Sequence, residues 1–320
     1  MKEILIALLL LVAGFVLLIK GADFFVDGSS SVAKRLKVPS MIIGLTIVAM
    51  GTSLPECAVS VTASLSNNNA LAVSNVVGSN IFNLMVVCGV CTLFVPLAVS
   101  VDTLKKEFPF SIICAVLLVI FGKFGMILGR ADGIIFLVLF AAYLGWMIKS
   151  ALSARNSALS KEAEEADEQI KILPVWQCII YIIGGAVAIK FGGDFVVNGA
   201  STIASSLGFS QNLIGLTIVA LGTSLPELVT SVAAARKGNA GIAIGNIVGS
   251  NIFNILFVIG ITALICNVPF ESKFLIDTVI AIFSGALLWI GTYKHKELRK
   301  PCGIVMLICY AAYFVYLCVL

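Results

Sequence analysis

Two sixteen-residue segments, MIIGLTIVAMGTSLPE at 41–56 and NLIGLTIVALGTSLPE at 212–227, agree at thirteen of sixteen positions. Each is followed by a second matching block, SNVVGSNIFN at 74–83 and GNIVGSNIFN at 245–254, and these agree at eight of ten. Every matched pair is displaced by 171 residues. Weaker echoes keep that displacement, Asp23 with Asp194 and Gly28 with Gly199. Chance does not produce this density of agreement, so the chain is two homologous halves. What those halves can fold into is limited further by their setting, because all four blocks lie inside long apolar stretches.

Of the 320 residues, 60% are hydrophobic and 12% charged, against about 45–50% and about 25% in soluble domains. So little charge cannot cover a water-soluble globule, which excludes a soluble enzyme, a disordered chain or a collagen. A formal net charge of +4 gives no reason to expect nucleic acid as a partner. The nine cysteines sit in or beside apolar stretches rather than spaced through polar loops, so no disulfide framework is expected. Ten stretches are long enough to cross the roughly 30 Å of a bilayer's hydrocarbon. They centre on 3–20, 41–65, 71–96, 109–127, 132–149, 173–190, 212–234, 240–266, 274–292 and 302–319. The first has too long an apolar core, and too poor a cleavage site, for a signal peptide. An all-α polytopic membrane protein is expected.

Lys and Arg set its orientation. With the N-terminus outside, alternate loops place Lys20, Lys34, Arg35, Lys37, Lys105, Lys106, Lys149, Arg155, Lys161, Lys171, Arg236, Lys237, Lys294, Lys296, Arg299 and Lys300 inside. Lys2, Lys123, Arg130, Lys190 and Lys273 fall outside, a division of 16 against 5 that obeys the positive-inside rule. Both termini are then expected outside, in a plasma (cell inner) membrane. The polar stretch 150–172 becomes a cytoplasmic linker between a first five-helix repeat, 1–149, and a second, 173–320. Its acidic run Glu162, Glu164, Glu165, Asp167, Glu168 reads as a solvated helical face, since it lacks the alternating ligands and glycine of an EF-hand loop. Five spans is an odd number, so two such halves in one chain must be inverted relative to each other. Lys34, Arg35 and Lys37 precede the first block, whereas their equivalents Ser205, Ser206 and Gly208 carry no charge. This is the inverted-repeat arrangement of secondary transporters, with its site at the midplane.

Chemistry concentrates at GTSLPE. Pro55 with Gly51, and Pro226 with Gly222, are expected to break their helices. Broken backbone at membrane depth is tolerated where it lines an enclosed polar cavity. Glu56 and Glu227 stand beside the breaks, and an intramembrane carboxylate is a functional hypothesis by default. Thr52 and Ser53 lie four and three residues before Glu56, on one helix face, and Ser79 and Asn83 are four apart in the next span. The second half supplies Thr223, Ser224, Glu227, Ser250 and Asn254. Carboxylate, hydroxyl and amide oxygens without His or Cys suit hard cations, Ca²⁺ or Na⁺. Two carboxylates balance one divalent ion.

GTSLPE followed by GSNIFN, duplicated and inverted over ten spans, resembles the sodium/calcium exchanger family of the cation/calcium exchanger superfamily, in a prokaryotic-type member. The resemblance covers essentially the whole chain. It implies a ten-helix antiporter, with discontinuous helices at the midplane, that exchanges Na⁺ for Ca²⁺ by alternating access. It implies a ligand set of Glu56, Thr52, Ser53, Ser79 and Asn83 with Glu227, Thr223, Ser224, Ser250 and Asn254, and it adds the carbonyls of Ala49 and Ala220. Several relatives, the potassium-dependent exchangers among them, have Asp where this chain has Asn254, which argues against potassium coupling here. The alternatives are a Ca²⁺/H⁺ exchanger and, further off, a cation channel. No cofactor beyond the transported ions, no covalent chemistry and no obligate protein partner are expected; membrane lipid is the surrounding solvent. Three smaller features have plainer readings. Cys88 and Cys91 share redox-motif spacing but lie in an apolar helix. Gly192-Gly193-Asp194 departs from an intramembrane aspartyl protease signature at Phe191. His295 stands among charged loop residues.

Overall fold

The computed structural model describes residues 2–66, 69–156, 172–208 and 220–319. It is nearly all helical. The first half contains α1 (Lys2–Leu36), α2 (Ser40–Thr52), α3 (Leu54–Leu65), α4 (Ala70–Phe94), α5 (Phe108–Lys123) and α6 (Arg130–Asn156). The second contains α7 (Val175–Ser206), α8 (Ala220–Gly222), α9 (Leu225–Arg236), α10 (Ala240–Ile265), α11 (Ser272–Tyr293) and α12 (Lys300–Val319). Four two-residue strands are present among the described residues: β1 (Leu97–Ala98), β2 (Ile127–Leu128), β3 (Val268–Pro269) and β4 (Glu297–Leu298). β1 pairs antiparallel with β4, Leu97 opposite Leu298, and β2 with β3, Leu128 opposite Val268. Each pair joins one half to the other.

Among the described residues, seven helices are long and apolar enough to cross a membrane: α1, α4, α6, α7, α10, α11 and α12. The bent pair α2–α3 would make an eighth. α5 has 16 residues and continues directly from a wide π-helical turn, Thr103–Glu107. The expected span at 212–234 is described only from Ala220 onward, and residues 157–171 of the expected linker lie outside the described residues. α6 runs on through Asn156, past the end of its apolar stretch.

α1 and α7 outlast the apolar runs that announced them. The run at 3–20 is part of a 35-residue helix, about 52 Å long at 1.5 Å per residue. Lys20, Asp23 and Asp27 interrupt its hydropathy but not its backbone, because α1 and α7 pack along a seam of glycines. Gly14 faces Gly192, Gly21 faces Gly185, Gly28 faces Cys178 and Gly199 faces Ala7. Gly14–Gly192 becomes Gly21–Gly185, and Gly28–Cys178 becomes Gly199–Ala7, when the halves are exchanged. That is the mark of a local two-fold axis. Lys237, at the end of α9, adds an ion pair to Asp27 at 2.7 Å and a hydrogen bond to the Asp23 carbonyl at 2.9 Å.

α4 and α10 form the centre, 78% and 83% buried over their most apolar windows, whereas those of α1, α6, α7, α11 and α12 are 17–33% buried. The outer helices present Ile4, Leu5, Leu9, Val12, Ile134, Val138, Ile180, Ile183 and Ile308 outward. So much exposed aliphatic surface suits lipid, not water. Gly245 and Gly249 of α10 lie against Met41, Gly44 and Leu45 of α2, which brings the two motif blocks of opposite halves into contact.

Candidate cation site

The helix break falls at Ser53. α2 and α3 meet there at 45°, and Ser53 has φ −86° and ψ 8°. Ser224 takes φ −93° and ψ 4° before α9. Pro55 and Pro226 then occupy the first turns of α3 and α9, where a missing N–H costs nothing. The prolines start the second helix of each pair. Gly51, expected to loosen the break, is helical and lies against the ring of Phe25; its small size makes room for that aromatic.

Glu56 and Glu227 sit in those first turns, where the positive end of the helix dipole favours a carboxylate. Both side chains are completely buried, and no ion pair reaches either among the described residues. Their hydrogen bonds cross between the halves. Ser53 Oγ donates to Glu227 Oε1 at 2.7 Å, and Ser224 Oγ donates to Glu56 Oε1 at 3.2 Å. Ser79 Oγ lies 3.1 Å from Ser224 Oγ, and Ser250 Oγ lies 3.5 Å from Glu227 Oε1.

The second oxygens are the telling ones. Glu56 Oε2, Glu227 Oε2, Asn83 Oδ1 and Asn254 Oδ1 are buried without a hydrogen-bond partner. A buried acceptor left unmade costs about 1–3 kcal/mol, and two of these four belong to groups that ionise. Buried oxygens of this kind, without a donor, are what a hard cation takes as ligands. No cluster of three His, Cys, Asp or Glu occurs among the described residues, so neutral oxygens must complete any coordination sphere. That donor set is of the alkali and alkaline-earth kind.

The other expected ligands are placed as follows. Thr52 Oγ1 donates to Asn246 Oδ1 at 2.9 Å. Thr223 is half-buried at the α8–α9 break. The Ala49 carbonyl accepts from the Ser53 N–H at 3.1 Å and lies 3.3 Å from Thr52 Oγ1 and 3.4 Å from Ser250 Oγ. It therefore keeps its helical hydrogen bond across the bend. Ala220 opens α8. Asn83 and Asn254 each begin a π-helical turn, Asn83–Val87 and Asn254–Ile259, a distortion common at functional sites.

Six supporting residues escaped the sequence reading. Asn75 Nδ2 donates to the Glu56 carbonyl and to Ser60 Oγ, and Asn246 Nδ2 donates to the Glu227 carbonyl and to Ser231 Oγ. Asn80 and Asn251 bond across the halves to each other's carbonyls at 3.2 and 3.3 Å. All six keep the 171-residue displacement, and that signal would have found them. Of the smaller motifs, Cys88 and Cys91 are buried, and Gly89 between them lies against Gly303 and Leu307 of α12. Gly192 belongs to the glycine seam, Asp194 pairs with Lys190, and His295 is exposed.

The family model described as "Sodium/calcium exchanger protein" matches residues 6–149 and 178–319. This chain belongs to the sodium/calcium exchanger family. The putative antiporter CaxA of Alkalimonas amylolytica is 44% identical over 262 residues, covering 82% of this chain and 81% of that protein. The sodium/calcium exchanger MaX1 of Methanosarcina acetivorans is 32% identical, with 97% of each chain covered. The solved structure of the sodium-calcium exchanger NCX_Mj, soaked with Na⁺ and Sr²⁺, superposes with a TM-score of 0.84 at 30% identity over 98% of both chains.

Proposed function

We propose that this family member is a secondary-active antiporter exchanging Na⁺ for Ca²⁺ across a cell membrane. One observation carries the reading. Two fully buried carboxylates from opposite halves each accept from a serine of the other half and leave their second oxygen bare, as do the buried amides of Asn83 and Asn254. Ca²⁺ neutralises the pair; Na⁺ ions competing for the same oxygens displace it, so the site is occupied by one or the other. That competition, with access alternating between the two faces, couples the fluxes without covalent chemistry or a cofactor. The names of MaX1 and NCX_Mj support Na⁺ and Ca²⁺ as the ion pair. Two buried carboxylates are also what a proton-coupled exchanger needs, so the test separates the driving ions. Purified protein in liposomes should take up ⁴⁵Ca²⁺ when an outward Na⁺ gradient is imposed at equal pH. Uptake driven by a pH gradient alone, and indifferent to Na⁺, would transfer the reading to Ca²⁺/H⁺ exchange. Flux needing no counter-ion would make it a channel.

The same reading takes the halves as five-span repeats of opposite orientation, ten spans in all, with both termini outside and 150–172 in the cytoplasm. Ser66 follows α3 and Arg236 ends α9, and both are exposed. On a cysteine-free background, Ser66→Cys should react with an impermeant thiol reagent from outside and Arg236→Cys from inside. Labelling of both from one side would refute the inversion.

A further inference from the structure

An amide oxygen and an amide nitrogen have nearly the same shape, so a buried asparagine serves a cation only if something fixes which end faces it. The structure contains a device of that kind. Asn80 Nδ2 donates to the backbone carbonyl of Asn251 at 3.2 Å. A carbonyl oxygen only accepts, so this bond decides the Asn80 amide: its nitrogen faces Asn251 and its oxygen faces the other way. That oxygen, Oδ1, accepts from Asn254 Nδ2 at 3.2 Å. An acceptor there requires a donor, so Asn254 must turn its nitrogen toward Asn80, and its own Oδ1 is the atom left bare. The mirror chain runs from the Asn80 carbonyl through Asn251 Nδ2 at 3.3 Å, and from Asn251 Oδ1 to Asn83 Nδ2 at 3.2 Å. It leaves Asn83 Oδ1 bare. All four side chains are buried, so water is not at hand to satisfy a reversed amide.

We propose that Asn80 and Asn251 are positioning residues that fix the polarity of the Asn254 and Asn83 amides, so that both present oxygen rather than N–H to the transported cation. Each chain starts at a backbone carbonyl of the opposite half, so the orientation of a ligand is set across the two-fold axis. A flipped amide would point two N–H groups at a positive ion and repel it. The inference rests on the cation-site reading above.

The test exploits a substitution that cannot be mis-oriented. An aspartate at 254 has two oxygens and no polarity to fix. The measured quantities are the Ca²⁺ concentration for half-maximal Na⁺-dependent uptake and, separately, the maximal rate. Asn80→Ala should raise the half-saturating Ca²⁺ concentration about 10–100-fold, the usual loss on removing a group that orients a metal ligand, with a smaller effect on maximal rate. In an Asn254→Asp background, where Asn80 Oδ1 faces a carboxylate oxygen instead of a donor, the same Asn80→Ala change should cost no affinity. Equal-fold losses in both backgrounds, or no loss in the first, overturn the proposal. Asn80→Asp separates orientation from simple clamping of α4 to α10. It keeps an acceptor for Asn254 Nδ2 and gives up the donor to the Asn251 carbonyl. Affinity held or improved supports orientation; a loss matching Asn80→Ala refutes it. Should Asn80→Ala not yield folded protein, Asn251→Ala with Asn83→Asp runs the mirror cycle. If Asn254→Asp alone leaves both Ca²⁺ affinity and Na⁺ dependence at wild-type values, Asn254 does not face the ion. The site reading then fails, and this inference with it.

Discussion

Glu56→Gln and Glu227→Gln should each abolish Ca²⁺ transport while leaving a folded protein. The reason they fold is visible in the hydrogen bonds. Oε1 of each glutamate already accepts from a serine hydroxyl, Ser224 for Glu56 and Ser53 for Glu227, and the carbonyl of a glutamine accepts the same hydrogen. The amide nitrogen then replaces the bare Oε2. The site loses one negative charge and turns an N–H toward the ion in the same step. With one carboxylate left, a bound divalent ion carries an uncompensated buried charge. Breaking a buried charge balance in this way costs on the order of 3–5 kcal/mol, about two to four decades in affinity. Expression and size-exclusion profiles should match wild type, and ⁴⁵Ca²⁺ uptake at micromolar Ca²⁺ should fall to background. Both variants transporting at wild-type rates would remove these carboxylates from the site.

The contrast between what the sequence revealed and what it hid follows from where the information lies. The motif residues were legible because a polar block inside an apolar run is costly, and its recurrence at one displacement gave each residue a partner to check against. The crossing of the hydrogen bonds was hidden, since nothing in the order GTSLPE says that Ser53 serves Glu227 rather than its neighbour Glu56. Four-residue spacing reaches Asn75 and Asn246 but not Asn80 and Asn251, because it selects one helix face. Asn80 lies on the face of α4 turned toward α10, where it meets the Asn251 carbonyl. Helix length was misjudged where it mattered for α1. Lys20, Asp23 and Asp27 mark the end of an apolar run, but a helix ends where its packing and backbone partners end, and the glycine seam with α7 continues past them to Gly28. The two strand pairs left no trace, because two residues are too few to show alternation.

That seam supports the second large effect. In lipid, water does not drive helices together, and close approach of backbones through small residues does much of the work. A Cβ placed on Gly185 would lie 2.8 Å from the Gly21 carbonyl oxygen and 2.8 Å from the Phe25 nitrogen, and one on Gly192 would lie 2.7 Å from the Leu18 nitrogen. These are backbone atoms of α1, which cannot swing aside as a side chain does. Gly185→Leu must therefore push α1 and α7 apart along their length, and with them the Phe25 ring that sits against Gly51 beside the helix break. Overpacking a core typically costs about 1–3 kcal/mol even when side chains absorb it; with backbone on both sides the loss should reach the top of that range or pass it. The neighbouring Gly184 supplies the control, since nothing lies within 4 Å of a Cβ there and the residue faces outward. Gly184→Leu adds the same bulk to the same helix, one residue away, on the surface proposed to meet lipid. Thermal unfolding of detergent-solubilised protein, followed by fluorescence size exclusion, should show Gly185→Leu aggregated or shifted down by about 5 °C or more, with Gly184→Leu at or above wild type. If the two variants unfold together, the close approach of α1 and α7 contributes nothing that a leucine cannot replace, and the glycine seam is not what holds the halves against each other.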